Sequence, residues 1–506
     1  MASLWENSFI VCLIVRFWNA VCGKFSESLI GGLIAGLVRY FRSGALWRFL
    51  TGDFLTEERW TQSIAYHVLQ WCLDLPCRFL ARLGHFAPGG TLPRLFLWLC
   101  TPALGLMMLA LLVIPQKQWN NMYSLIAVLG ILTLYLAASL GGTQRRLELR
   151  HVGAWPVLLM LIAFLSWVWS DSRSLGTRFL FFAVTCALLV LLLVSAADSE
   201  RKLLWIVRLS AVGLAVCSLY ALWQRHVGVE ANGYFTDLSL NPDMPGRVFS
   251  FFENPNSFAN ILVFFAPLML CMGLYAKSWP ERIAFFAVFL LSGLALLMTY
   301  SRGGWLALAF AVFVLMLFVC PRWVPLIILA GLVILPFLPG NILNRLLTVF
   351  NFSDSSTYTR SYTYSAMVRI IGLNPIFGVG IGADSLRYSI KCAEVYKAEA
   401  LFIHAHNIYM QIWAESGIFA LIAFLGSMFG ALRAGRRAFQ KAADAPRLRG
   451  VVLGCICGLS GSLLFGLTDF AWSYPRVMVM FWFIFALLLA GTRLINSREA
   501  GTNNHE

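Results

Sequence analysis

The sequence predicts an all-α fold: a polytopic transmembrane helix bundle of about 12 spans, with a large extracytoplasmic loop between the spans near 322–338 and 408–432. Three observations carry this prediction. Of 506 residues, 59% are hydrophobic and only 12% are charged, where a soluble domain has roughly 25%, and the mean hydropathy is +0.74. These values exclude an ordinary soluble protein, and they exclude disorder, which needs low hydrophobicity. Apolar runs of roughly 20 residues, the length that crosses a bilayer, recur from Phe96 onward. Finally, Lys and Arg are shared unequally between alternate connecting loops. The net charge of +15 is therefore read as topological, with no nucleic-acid partner.

The elements follow in chain order. Residues 1–94 interleave Leu, Ile, Phe and Trp with Lys24, Arg39, Arg42, Arg48, Arg78 and Arg82. No stretch there is both long and charge-free, so two or three amphipathic helices on the cytoplasmic membrane surface are expected; a soluble helical cap is the other reading. Glu6 and Arg16 interrupt the first apolar stretch, and no small-residue cleavage site follows, so a signal peptide is not expected. Residues 95–338 hold nine spans, near 95–115, 122–141, 153–170, 179–197, 203–224, 257–275, 283–299, 304–320 and 322–338. The last two are short and meet at a Pro321-Arg322-Trp323 corner. Residues 339–407 form the large loop, which is too long for a mere connector. It carries the Tyr-rich patch Thr357 to Tyr364, an expected helix through Met367 to Ile371, and a glycine-rich turn from Gly378 to Gly382. Residues 408–495 supply spans near 408–432, 450–467 and 476–494, and 496–506 are a tail. Most of the 12 cysteines lie inside apolar runs and read as small core residues.

Orientation follows from the short loops. With the N-terminus in the cytoplasm, one set of loops holds Arg145, Arg146, Arg150, Arg201, Lys202, Lys277, Arg282, Arg322, Arg433, Arg436, Arg437, Lys441, Arg447 and Arg449. The opposite set holds half as many: Lys117, Arg173, Arg178, Arg225, Arg247, Arg302 and Arg476. Both termini are thus expected in the cytoplasm, in a multi-pass protein of the cytoplasmic (inner) membrane. The stretch 225–256, the turn Tyr300 to Gly304 and the loop 339–407 then share the extracytoplasmic face.

Several residues on that face carry chemistry. Arg247 precedes Asn254-Pro255-Asn256, and Arg302 sits in Tyr300-Ser301-Arg302-Gly303-Gly304 between two spans. A guanidinium is a permanent cation with a planar donor fork suited to phosphate oxygens. The pair suits a lipid diphosphate, with Gly303 and Gly304 allowing close backbone approach; equally, both arginines could snorkel to ordinary lipid phosphates. His404-Ala405-His406-Asn407 closes the large loop. A histidine there can serve as general base or simply cap a helix. His404 and His406 are the only close pair, and no Cys, Asp or Glu stands within four residues of them, so no metal site is read from the pair. Glu415 and Asp469 are acids in or near apolar spans and should be paired. Glu415 is expected to position an Arg or His. For Asp469 the plain reading is an ion pair near Trp472, Tyr474 and Arg476.

These residues resemble the O-antigen ligase and O-antigen polymerase superfamily. Arg247 to Asn256 (RVFSFFENPN) and Tyr300 to Gly304 (YSRGG) are similar to two of its motifs. His406 to Gly417 (HNIYMQIWAESG) fits the ligase pattern of His, then Asn, Ser or Gln, then nine residues, then Gly. Ala420 departs from it where Gly, Thr or Tyr is the rule. Asn374 to Gly380 resembles the family's segment inside the large loop. The resemblance covers roughly residues 95–495.

The resemblance implies transfer of a glycan from an undecaprenyl-diphosphate-linked donor to an acceptor hydroxyl on a lipid or cell-wall glycan, or, in a polymerase, on another carrier-linked chain. Arg247 and Arg302 would bind the diphosphate, and His406 would deprotonate the acceptor. Asn254, Asn256, Tyr300, Arg360, Arg369, His404, Asn407, Glu415 and Asp469 would contact substrate. No metal and no cofactor are required on that scheme. A second resemblance, to transporter-like proteins described as bicarbonate transporters, rests on Asn254-Pro255-Asn256, Tyr300 to Gly304 and Asp469 with Tyr474-Pro475-Arg476. That family lacks a histidine at the position of His406. A non-catalytic scaffold in a polysaccharide assembly complex is the third reading.

Overall fold

The computed structural model describes residues 16, 18–20, 23–24, 27–44, 55–84, 90–141, 145–230, 245–337, 340, 355–392 and 404–503. Much of the N-terminal stretch, residues 231–244 of the segment 225–256, residues 341–354 and 393–403 of the large loop, and the last three residues of the tail lie outside them. The chain divides into two compact units, Met1–Phe54 and Leu55–Glu506. In the first unit, helix α1 (Leu29–Ser43) exposes Leu29, Leu33, Leu37 and Tyr40. That spacing is one helical face.

In the second unit, every regular element among the described residues is helical. In order they are α2 (Glu57–Gln62), α3 (Ile64–Gly84), α4 (Thr91–Val113), α5 (Met122–Ala137), α6 (Leu149–Val152), α7 (Ala154–Trp169), α8 (Arg173–Ala196), α9 (Glu200–Val227), α10 (Pro255–Tyr275), α11 (Trp279–Met298), α12 (Arg302–Val319), α13 (Val324–Ile334), α14 (Ser355–Leu373), α15 (Ala383–Cys392), α16 (Ile408–Lys441), α17 (Pro446–Phe465) and α18 (Pro475–Asn503). Ten of the described helices are long and apolar enough to cross a membrane. Two shorter apolar helices, 154–169 and 321–333, take the places of the remaining two expected spans.

Helix α3 shows why the N-terminal region resists being read as a span. One face is polar yet buried: the Gln70 side chain donates to the Leu147 carbonyl (2.9 Å) and to Asp74 Oδ1 (2.8 Å). The other face exposes Ile64, Val68, Leu75 and Phe79. The helix therefore lies against the connection 138–152, at one end of the bundle, rather than threading through it.

Helices α10, α17 and α18 form the centre, with Phe264, Phe265, Phe481 and Phe483 fully buried. Gly303 and Gly304 are used here for packing. A Cβ on Gly303 would lie 2.6 Å from Phe465, and one on Gly304 would lie 2.9 Å from the Ala259 Cβ. The bare backbone thus lets α12 press onto α17 and α10, which corrects the expectation that these glycines make room for a ligand. Arg476 does not pair with Asp469. It is buried, donates to the Leu111 carbonyl (2.6 Å) and lies over the Phe252 ring (4.5 Å), tying α4 to α18.

Candidate active site

Helices α10, α12 and α16 begin at the same end of the bundle, and each start is built by a residue from the sequence motifs. Asn254 caps α10 by accepting from the Asn256 and Ser257 N–H groups. Ser301 caps α12 by accepting from Gly304. Asn407 caps α16 by accepting from Tyr409 and Met410. Asn and Ser are preferred there because their side-chain oxygens satisfy otherwise unpaired amides. Arg302 is the first residue of α12. Asn254 and Asn407, expected to touch substrate, are thus occupied in shaping the backbone.

The two arginine segments are hydrogen-bonded together. Arg247 is buried, donates from Nε to the Thr299 carbonyl (2.7 Å) and donates from its guanidinium to Asn256 Oδ1 (2.6 Å). The neighbouring Val248 N–H donates to the Met298 carbonyl (3.2 Å). Arg247 therefore sits beside the Tyr300–Arg302 turn. Gln224 of α9 anchors the segment from below, bonding Ser250 through both its N–H (2.8 Å) and its carbonyl (3.2 Å). Gln224 was missed from sequence; a Gln at the last position of the apolar stretch 203–224 was its signal.

His406 is held by groups from three segments. Its Nδ1 lies 3.2 Å from Asp469 Oδ1, and its N–H donates to His404 Nδ1 (3.2 Å). Its carbonyl lies 3.3 Å from the Tyr364 hydroxyl of α14. The turn that carries Asp469 is the hub: Ile408 N–H donates to the Gly466 carbonyl (2.8 Å), and Asn407 Nδ2 to the Leu467 carbonyl (3.1 Å). A Cβ on Gly303, next to Arg302, would meet Thr468 of that turn at 2.8 Å. In addition, Asn254 Nδ2 donates to the Tyr474 hydroxyl (3.3 Å). All three motifs thus converge around residues 465–474. The four non-glycine residues with positive φ among the described residues, Ser250, Glu253, Tyr300 and His406, all fall within them. Such strained backbone clusters at functional sites.

The charges at this end are set by the fold. Burial alone would raise Asp469. The hydrogen bond from His406 and the charges of His406, His404 and Arg360 outweigh it and hold the carboxyl at about 2. Asp469 is therefore an ionised acceptor, and in the neutral form of His406 the proton of their bond sits on Nδ1 and the lone pair on Nε2. Burial first, and then the neighbouring His406, push His404 down to about 4, so it is neutral at pH 7. Burial raises the Tyr364 hydroxyl, which stays a donor. Arg360 acts on Asp469, His404 and Tyr364, and Arg387, which the sequence did not single out, acts on His404. Arg369 is exposed, and no described hydrogen bond or ion pair joins it to this group. His404, His406 and Asp469 bring three potential ligand atoms within 4.8 Å of one another. The acid of the trio comes from the turn after α17, outside the loop, and the trio is chemically able to take a first-row divalent cation.

Among the described residues, Glu415 meets neither Arg nor His. It accepts from Gln411 Nε2 (2.5 Å), and Gln411 Oε1 accepts from the Ala405 N–H (2.7 Å), next to His406. Beyond it, α16 breaks at Gly417 (φ 79°). The loop segment 374–382 fills the break: Val379 and Gly380 donate to the Ala414 and Glu415 carbonyls (both 2.9 Å), and Ile418 donates to the Pro375 carbonyl (3.0 Å). Two of the motifs therefore satisfy each other's backbone. Next to Glu415 an apolar cavity of ≈ 880 Å³ runs between α7, α8 and α16, from Leu69 and Leu73 of α3 to Phe470 and Trp472.

Fold and site together define a multi-pass membrane protein with an arginine- and histidine-bearing site at one end of its helical bundle. Residues 285–425 match the family described as O-antigen ligase, which supports the resemblance to the O-antigen ligase and polymerase superfamily. The matched segment contains Arg302, Arg360 and His406, but not Arg247 or Asp469. The match supports a function of the O-antigen ligase or polymerase type in general. Comparison with curated proteins gives no significant match.

Proposed function

We propose that this protein is a ligase for a cell-surface polysaccharide. It moves a glycan from an undecaprenyl-diphosphate-linked donor to an acceptor hydroxyl at the extracytoplasmic face of the cytoplasmic membrane. The observation that carries the reading is the His406–Asp469 pair set beside the Arg302 turn. His406 Nε2 takes the hydroxyl proton while the acceptor oxygen attacks the anomeric carbon. The bond from that carbon to the diphosphate breaks, and the leaving diphosphate carries the electron pair. Arg247, Arg302 and the positive ends of α10, α12 and α16 stabilise its charge. Arg360 and Arg387 extend the positive field over the acceptor side. The apolar cavity offers a place for the polyprenyl chain, with Glu415 at its wall.

The test is glycan transfer by purified protein from a lipid-linked donor. Loss of transfer in His406→Ala, with donor binding retained, supports the reading; full activity overturns the general-base role. Replacing the acceptor with a second carrier-linked glycan separates polymerase from ligase. Flux of bicarbonate in proteoliposomes without glycan transfer would favour the transporter reading.

A further inference from the structure

His406 has φ 48°, a left-handed backbone that an L-residue seldom adopts unaided. Two side chains grip its peptide groups, one on each side. On the N-terminal side, His404 Nδ1 accepts the His406 N–H at 3.2 Å, with the residue i to i+2 spacing of an Asx turn. The His404 ring also meets the His406 ring edge-on, with centroids 4.1 Å apart, and lies against Phe470 at 5.9 Å. Phe470 in turn donates its N–H to Asp469 Oδ1 (2.8 Å). On the C-terminal side, the Tyr364 hydroxyl lies 3.3 Å from the His406 carbonyl and 3.2 Å from the Leu467 carbonyl. Both grips reach the turn that supplies Asp469.

We propose that His404 and Tyr364 are positioning residues: they clamp the left-handed backbone of His406 and thereby aim its Nδ1 at Asp469. The proposal rests on the reading of His406 as general base. A relaxed φ would turn the Cα–Cβ bond and swing the imidazole off the carboxylate, so the clamp acts on the orientation of the base and not on the donor. Because His404 Nδ1 is occupied as an acceptor, His404 serves His406 rather than the acceptor sugar. Tyr364 extends the same control to the large loop, since α14 must be seated for the second grip to form.

The experiment compares His404→Ala, His404→Asn, Tyr364→Phe and His406→Ala as full-length purified proteins, with kcat, donor KM and melting temperature measured for each. Asn retains an oxygen that accepts the i+2 N–H. His404→Ala should lower kcat by ~10–100-fold with donor KM nearly constant, as expected when a reacting group is misplaced by a fraction of an ångström to an ångström. His404→Asn should return most of that loss, and Tyr364→Phe should lower kcat by a smaller factor. A His404→Asn protein as slow as His404→Ala, or a loss confined to KM, overturns the clamp. Should His404→Ala fail to fold, His404→Asn and Tyr364→Phe still decide. Full activity of His406→Ala overturns the general-base reading itself, an outcome distinct from failure of the His404→Asn rescue alone.

Discussion

His406 Nδ1 and Asp469 Oδ1 lie 3.2 Å apart, although 63 positions separate the two residues in the chain. The contact forms because the start of α16 is bonded to the turn after α17 through Ile408 N–H and the Gly466 carbonyl. An ionised Asp469 fixes the His406 tautomer, much as a carboxylate does for the histidine of a hydrolase triad. Asp469→Asn can donate to Nδ1 and so favour the wrong tautomer. It should lower kcat by ~10²–10⁴-fold, comparable to His406→Ala, with little change in donor KM. Steady-state transfer assays on both variants check this.

Stability should fall with acidification in two stages. His404 titrates at about 4 in the folded protein against an ordinary 6.5. The unfolded chain therefore binds a proton first, and stability declines as pH falls from 6.5 towards 4. Asp469, held at about 2 against an ordinary 3.8, contributes stability that is present above 3.8 and lost as pH falls through about 2. Denaturation temperature measured from pH 8 downward in detergent should show the first decline, and His404→Asn should remove that part of it.

The arginines should separate by what they hold. Arg247→Ala leaves the Thr299 carbonyl and Asn256 Oδ1 without their donors in a buried setting, at a cost of about 1–3 kcal/mol, alongside lost transfer. Arg247→Lys keeps the charge but not the fork and should not restore both bonds. Arg302→Ala should raise the KM for the lipid-linked donor and lower kcat together. Thermal denaturation and donor titration with each variant check these outcomes.

Gly417 cannot take a side chain. Its φ is 79°, and a Cβ would lie 1.8 Å from the Ile376 carbonyl oxygen. Gly417→Ala should expel segment 374–382 from the break in α16, exposing it to protease and lowering transfer. Limited proteolysis of wild type and variant, read by peptide mapping, tests this. Unchanged cleavage and activity would show that the break tolerates a closed helix.

Transfer should be indifferent to metal chelators, because the guanidinium groups supply the positive charge at the leaving diphosphate. Dialysis against a chelator followed by assay checks this. Activity lost on chelation and restored by zinc would instead assign His404, His406 and Asp469 to a metal.

Much of the fold was legible because a bilayer imposes a simple rule. A span must bury its own backbone hydrogen bonds in one apolar stretch of set length, so the twelve stretches could be read from Phe96 onward. The motif residues Arg247, Arg302 and His406 were also legible, since each is a polar side chain at the edge of such a stretch. Their roles were less so. Asn254 and Asn407 are the clearest cases, because the same side-chain amide that suits a sugar hydroxyl also caps a helix.

By itself the sequence determined an all-helical, membrane-spanning chain and the three motifs proposed to carry its chemistry. Only the tertiary structure decided the partnerships among them. Asp469 turned from Arg476 to His406, and Glu415 found Gln411. Segment 374–382 filled the break at Gly417. The physical reason is that hydropathy is a property of local stretches, whereas a buried polar group is satisfied by whichever element the packing brings beside it.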